Sequence, residues 1–115
     1  LQRIFERFYK SDRARTRGAL YRITQEALNN SAKYAGASQV TITLTFQTGA
    51  VRLSVRDNGR GFNPADIRPH SLGLGIMRER AQKIGAVLTI ESRIGEGTVV
   101  TVDCPMANGR EETYA

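Results

Sequence analysis

Glu26, Asn30 and Lys33 follow one another at steps of four and three residues. On a helix that spacing projects all three from one face. A carboxylate, an amide oxygen and an ammonium in a row are the groups that a hydrated magnesium ion and phosphates require, since magnesium takes oxygen ligands and keeps several waters. The same row also describes an ordinary solvated helix face. Asp57 is more telling. It continues the alternation of Val51, Leu53 and Val55, which directs its carboxylate to the buried side of a strand, where an ionised group is costly unless bonded. A ligand amine donating to it would remove that cost. Asp57-Asn-Gly is also a turn signal, and a carboxylate capping that turn would remove the cost as well.

Six of the eleven glycines form three G-x-G pairs: Gly59/Gly61, Gly73/Gly75 and Gly95/Gly97. Glycine lets the backbone approach a ligand closely. The middle pair is expected immediately before a helix, whose first N–H groups and positive dipole end suit phosphate. No G-x-x-x-x-G-K-[ST] run is present, which excludes a P-loop. Gly73-Leu-Gly-Ile-Met-Arg departs from the dinucleotide fingerprint at Arg78, where a small residue is needed.

The elements that position these groups follow from apolar spacing. Leu20, Ile23, Ala27, Ser31 and Tyr34 recur at three- and four-residue steps, predicting a helix over Ala19–Ala35 stopped by Gly36. Val40, Ile42, Leu44 and Phe46, then Val51, Leu53 and Val55, alternate with polar residues on either side of Thr48-Gly49, predicting a hairpin. Residues 58–72 read as a loop. Leu74, Met77, Ala81 and Ile84 predict a second helix ending near Gly85, followed by strands at about 87–93 and 98–104. Helices on one face of a mainly antiparallel sheet satisfy every apolar stripe. The expected fold is therefore α+β.

Size and charge narrow the classes. The chain has 115 residues, enough for one core, and 40% hydrophobic residues. No stretch approaches a membrane span and no signal-peptide pattern opens the chain. Of the net charge of +6, residues 1–17 hold six Lys/Arg against two Asp/Glu, so most of the excess is local to that segment. Residues 1–17 are expected to be a short helix and linker, 18–106 the functional domain, and 107–115 a frayed tail. Cys104, the only cysteine, excludes an internal disulfide and is expected to be a buried structural thiol. His70, the sole histidine, falls in the loop and is read as a solvated residue.

Taken in order, Glu26-x-x-x-Asn30-x-x-Lys33, Asp57-Asn-Gly-Arg-Gly61, Gly73-Leu-Gly-Ile and Gly95-Glu-Gly-Thr98 resemble the ATP-binding domain of sensor histidine kinases. That domain belongs to the wider fold group shared with type II topoisomerases, Hsp90-like chaperones and mismatch-repair ATPases. The resemblance covers about residues 19–105. TQEALNNSAKYAGAS, GIMRERAQKIGA and a short lid at about Phe62–Leu72 look most like the nitrate/nitrite-sensor branch. It implies a two-layer α/β sandwich of the Bergerat type with a mainly antiparallel mixed sheet.

The resemblance also implies roles. Asn30 would ligate magnesium, Glu26 would orient or polarise the reacting group near the γ-phosphate, and Lys33 would contact phosphate. Asp57 would accept from the adenine amino group, with Gly59, Gly61 and Thr98 at the base pocket and Tyr34 beside the sugar or base, where relatives often have His. Gly73, Leu74 and Gly75 would close over the phosphates of ATP. The phosphoryl group would pass to a histidine on a separate dimerisation domain, and indirectly to a response regulator, in the cytoplasm. No nucleic acid or membrane partner is expected. The phosphoacceptor domain is absent from the chain. IFERFYKSDRART resembles the phenylalanine-containing box of other histidine kinases, displaced to precede the first helix. Two other classes share features: a serine-directed kinase of the anti-sigma type or an ATPase of this fold group, and a basic nucleic-acid-binding module acting through residues 1–17.

Overall fold

The computed structural model describes residues 14–63, 65 and 71–105, with the side chains of Tyr34, Ser71 and Leu72 excepted. Most of the expected lid, His70 and the phenylalanine-box-like residues before Ala14 lie outside the described residues.

The first helix, α1, spans Ala14–Asn30 and buries Ala19, Leu20, Ile23, Thr24 and Ala27, one stripe repeating every four residues. It starts earlier than the apolar pattern indicates. Residues 14–17 are helical rather than linker, and the Arg15 guanidinium donates to the Lys83 carbonyl at 2.9 Å. Arg and Ala are good helix formers, so this charged turn extends the helix without an apolar signal of its own. Beyond Asn30 the helix widens into a π turn, Ser31–Ala35. Gly36 ends it at φ 59°, its N–H bonding the Ser31 carbonyl.

Among the described residues four strands form one sheet: β1 (Val40–Gln47), β2 (Ala50–Asp57), β3 (Val87–Ser92) and β4 (Thr98–Pro105), ordered β1-β2-β4-β3. Each neighbouring pair is antiparallel. The register aligns Val51 with Cys104, Leu53 with Val102 and Val55 with Val100. All six side chains are buried against the helices. On the other face Thr41, Thr43, Thr45, Arg52 and Arg56 are exposed, and Arg52 Nε meets its cross-strand partner Asp103 at 2.6 Å.

The second helix, α2, spans Ser71–Lys83. Gly73 and Gly75 therefore lie inside its first turns, not before it as the loop-like composition suggests. The apolar series Leu74, Met77 and Ala81, all buried, outweighs the roughly 1 kcal/mol that each helical glycine costs relative to alanine. Leu20, Ile23 and Ala27 of α1 join Leu74, Met77 and Ala81 of α2 and the inner faces of β2 and β4 in one core. The result is two layers, helices over sheet. Arg15 of α1 reaches the last turn of α2, while Asn30 lies at its first turn, so the helices run antiparallel.

Candidate functional site

The inner face of the sheet ends in polar residues. After the apolar pairs Leu53/Val102 and Val55/Val100, the next pair in the same phase is Asp57 with Thr98, and Thr98 in turn aligns with Ser92 on β3. Asp57 and Ser92 are each only 9% exposed. A carboxylate so placed must be bonded, and its partners come from three elements. Asp57 Oδ1 accepts from the Gly59 N–H at 2.9 Å and the Thr98 N–H at 3.2 Å. Oδ2 accepts from the Ser31 hydroxyl at 2.7 Å. Ser31 also lies 3.1 Å from the Ala27 carbonyl, and its single proton serves the shorter, charged contact. Asp57 thus caps its own turn through one oxygen and leaves lone-pair capacity on the other. The turn-capping and ligand-accepting readings of this residue are compatible.

Backbone packing holds the loop after Asp57 in place. Gly61 has φ 65° and Gly97 φ 81°, both in the left-handed region. A Cβ on Gly61 would collide with the Arg93 carbonyl, and one on Gly97 with the Asp57 carbonyl. The Gly95 N–H bonds the Arg60 carbonyl at 2.5 Å, and the Arg60 N–H bonds the Ala35 carbonyl at 2.9 Å. Asn58 Oδ1 accepts from the Ser38 and Gln39 N–H groups, both at 3.0 Å. The loop is thereby joined to the end of α1 and to the β3–β4 turn.

One small pocket, open to solvent at its mouth, adjoins this region. Asn30, Ser31, Asp57, Gly61, Leu74 and Thr98 contribute to its wall, and Phe62, Met77 and Ile90 give it apolar surface. A mainly apolar cavity with a few convergent polar groups is the usual form of a small-molecule site. At its helical end Gly73 permits close approach: a Cβ there would sit 3.2 Å from Asn30 Oδ1 and 3.5 Å from Glu26 Oε1. The first N–H groups of α2 have no helical partner and lie at this end. Glu26 is held by Arg22, Oε2 to Nη2 at 3.1 Å, rather than by Lys33.

Of the residues that spacing or the family resemblance selected, Asn30, Asp57, Gly61, Leu74 and Thr98 therefore share one cavity, with Glu26 and Gly73 beside Asn30. Lys33 is exposed and outside the pocket wall, because the wider π turn rotates it from the row of Glu26 and Asn30. Gly59 packs against Ala35, where any Cβ would collide, and Gly75 faces open space. The Tyr34 side chain is outside the described residues. Ser31 and Ser92 are site residues that spacing did not select. Their signal was phase: Ser31 lies on the apolar stripe of α1, and Ser92 continues Leu88 and Ile90.

No cluster of three or more His, Cys, Asp or Glu side chains among the described residues could hold a metal. Asn30 nevertheless fits magnesium. Its amide is partly buried in the pocket wall with no hydrogen-bond partner among the described residues, and magnesium needs only one or two protein oxygens alongside phosphates and water. No helix among the described residues is long and apolar enough to cross a membrane. Cys104 is 1% exposed, and burial pushes its thiol pKa up, as befits an inert core residue.

Residues 15–108 match the family described as histidine kinase-, DNA gyrase B-, and HSP90-like ATPase. The chain is 42% identical over 87 residues to the sensor histidine kinase LiaS of Bacillus subtilis (strain 168), covering 76% of this chain and 24% of LiaS. It is 39% identical over 95 residues to the sensor protein VraS of Staphylococcus aureus (strain COL), covering 83% of this chain and 27% of VraS. The chain thus spans about a quarter of the length of these relatives. Its structure is similar to the histidine kinase domain of the Erythrobacter litoralis EL346 blue-light activated kinase, with TM-score 0.69 and 28% identity over 87% of this chain and 48% of that one. The ATP binding domain of PrrB from Mycobacterium tuberculosis shares the fold at TM-score 0.65 and 23% identity, over 83% of this chain and 69% of that one. Sequence match and fold agree with the pocket geometry, and the chain belongs to the histidine kinase-, DNA gyrase B- and HSP90-like ATPases.

Proposed function

We propose that this chain is the ATP-binding catalytic domain of a cytoplasmic two-component sensor histidine kinase, delivering the γ-phosphoryl group to a histidine on a separate dimerisation domain. The observation that carries the reading is the shared cavity of Asp57 and Asn30, a buried acceptor at one end and, beside a helix N-terminus at the other, an amide with no hydrogen-bond partner among the described residues. Asp57 and Thr98 receive the adenine edge. Gly73 and the opening N–H groups of α2 receive phosphate. Magnesium, when bound, would neutralise phosphate charge, with Asn30 the protein oxygen that holds it. Glu26, anchored by Arg22, orients the incoming acceptor. Leu74 closes the apolar wall between the two ends.

Catalysis by such a site is positioning and electrostatic stabilisation, with little covalent work for the protein. The domain takes in residues 18–106 and, from the helix start, 14–17 as well. Its placement in the nitrate/nitrite-sensor branch rests on TQEALNNSAKYAGAS and the short interval between Phe62 and Leu72. Lys33 and Tyr34 remain candidates for contacts made on closure over ATP, and a response regulator is the downstream partner.

The test is phosphoryl transfer. Incubated with γ-labelled ATP, the chain alone should stay unlabelled, and a histidine-bearing dimerisation domain from its own kinase should acquire acid-labile label when the chain is added. Strong self-labelling, or acid-stable label on serine, contradicts the proposal.

A further inference from the structure

Ser92 is assigned no role by the reading above, yet three polar contacts meet at its hydroxyl, as many as at Asp57. Its Oγ lies 2.8 Å from the Phe62 N–H, 3.1 Å from the Gly97 carbonyl and 2.8 Å from Thr98 Oγ1. A serine hydroxyl has one proton to donate and two lone pairs with which to accept. The Phe62 N–H can only donate, and the Gly97 carbonyl can only accept. If Ser92 gave its proton to Thr98, the Gly97 contact would be lost. If Ser92 gives its proton to Gly97, it accepts from both Phe62 and Thr98, and all three contacts are made. Buried polar groups favour the fully bonded arrangement.

This arrangement fixes what the pocket presents. Thr98 lines the cavity, and with its proton committed to Ser92 its hydroxyl oxygen can only accept from a ligand. Asp57, across the Asp57–Thr98 pair, is an acceptor through Oδ2. We propose that Ser92 is a specificity-determining positioning residue: by taking the Thr98 proton it leaves Thr98 an acceptor beside Asp57, favouring a base with an exocyclic amine there over one with a carbonyl. The inference rests on the nucleotide reading of the same pocket and extends it to a residue at the edge of the site.

Binding of ATP and of inosine triphosphate separates the possibilities, since inosine replaces the amine by a carbonyl; its ring N1, an N–H donor where adenine has an acceptor, is the same for every variant and cancels when their preferences are compared. Both are titrated calorimetrically, with magnesium, into the wild-type chain, Ser92→Ala, Ser92→Thr and Thr98→Val, with thermal melts as a folding check. The wild type should prefer ATP by at least about tenfold, the scale of one well-made hydrogen bond to a charged or buried partner. Ser92→Ala frees the Thr98 hydroxyl to donate, so the preference should fall about tenfold, and Ser92→Thr, which keeps a hydroxyl, should restore it. Thr98→Val, which has no proton to give, should keep the preference that Asp57 confers, and in that background Ser92→Ala should change nothing further.

A Ser92→Ala preference within about twofold of wild type overturns the proposal, even if both affinities drop together, because parallel loss marks a structural role only. Should Ser92→Ala fail to melt cooperatively, Ser92→Cys, whose sulfur is a weak acceptor, is read by the same criterion. A wild type that binds ATP and inosine triphosphate equally removes this inference and leaves the ATP reading standing. A wild type that binds neither removes both.

Discussion

The Ser31 hydroxyl donates to Asp57 Oδ2 at 2.7 Å, which ties the end of the first helix to the end of a central strand inside the candidate site. The contact lets an ionised group stay buried while one of its oxygens keeps capacity for a ligand. Ser31→Ala removes a hydrogen bond to a charged acceptor, and urea denaturation should show a loss of about 1.5–3 kcal/mol. A change below about 0.5 kcal/mol would mean that Asp57 is held without it.

Glycines in the site divide into two kinds, and their alanine variants should move in opposite directions. Gly97→Ala places a Cβ against the Asp57 carbonyl at a left-handed φ, so it should destabilise by at least about 1–3 kcal/mol. Gly75 is helical, and a Cβ there meets nothing within 4 Å. Gly75→Ala should stabilise the chain by about 1 kcal/mol. If this glycine serves phosphate approach, the same variant should bind ATP more weakly. Thermal melts and nucleotide titrations on the two variants separate fold from function, and tighter ATP binding by Gly75→Ala would count against a phosphate role.

How much of this was legible in the sequence differs from residue to residue. Leu53 and Val55 alternate, and Ile23 and Ala27 repeat at helical spacing, so strands and helices emerge from periodicity alone. The hairpin of β1 and β2 is local and was legible too. The pairing of Asp57 with Thr98 was not, because it depends on the register of strands 41 residues apart. Ser92 carries no motif, but its phase with Leu88 and Ile90 is the same argument that singled out Asp57. The helix start at Ala14 was hidden by charge, and that of α2 by glycines whose weak helix propensity is outweighed by Leu74 and Met77. Lys33 stands outside the pocket wall because straight α-helical spacing does not anticipate a π turn.

Cys104 gives the fold a pH dependence of definite sign. Burial raises its thiol pKa from 9.0, so between the unfolded and folded values the unfolded chain binds fewer protons than the folded one. Stability from this group is full below the unfolded value and is lost as pH rises through the folded one. Unfolding free energy should therefore fall above about pH 9 more steeply in wild type than in Cys104→Ala. Thiol reagents should label Cys104 only on unfolding. Parallel pH profiles for the two proteins, or rapid labelling of the native chain, would contradict the burial account.

The central claim is that one pocket receives the base of ATP at Asp57 and its magnesium-bound phosphates at Asn30. Calorimetric titration of Mg-ATP into the wild type, Asp57→Asn and Asn30→Asp tests it most directly. Asparagine at 57 can still accept from the Gly59 and Thr98 N–H groups, so the variant should fold, but its new N–H donors face an amine and affinity should fall tenfold or more, roughly the value of a charge-assisted hydrogen bond. Aspartate at 30 adds negative charge beside phosphate and should weaken binding at least severalfold. Folded variants that both bind Mg-ATP as tightly as the wild type would contradict the account.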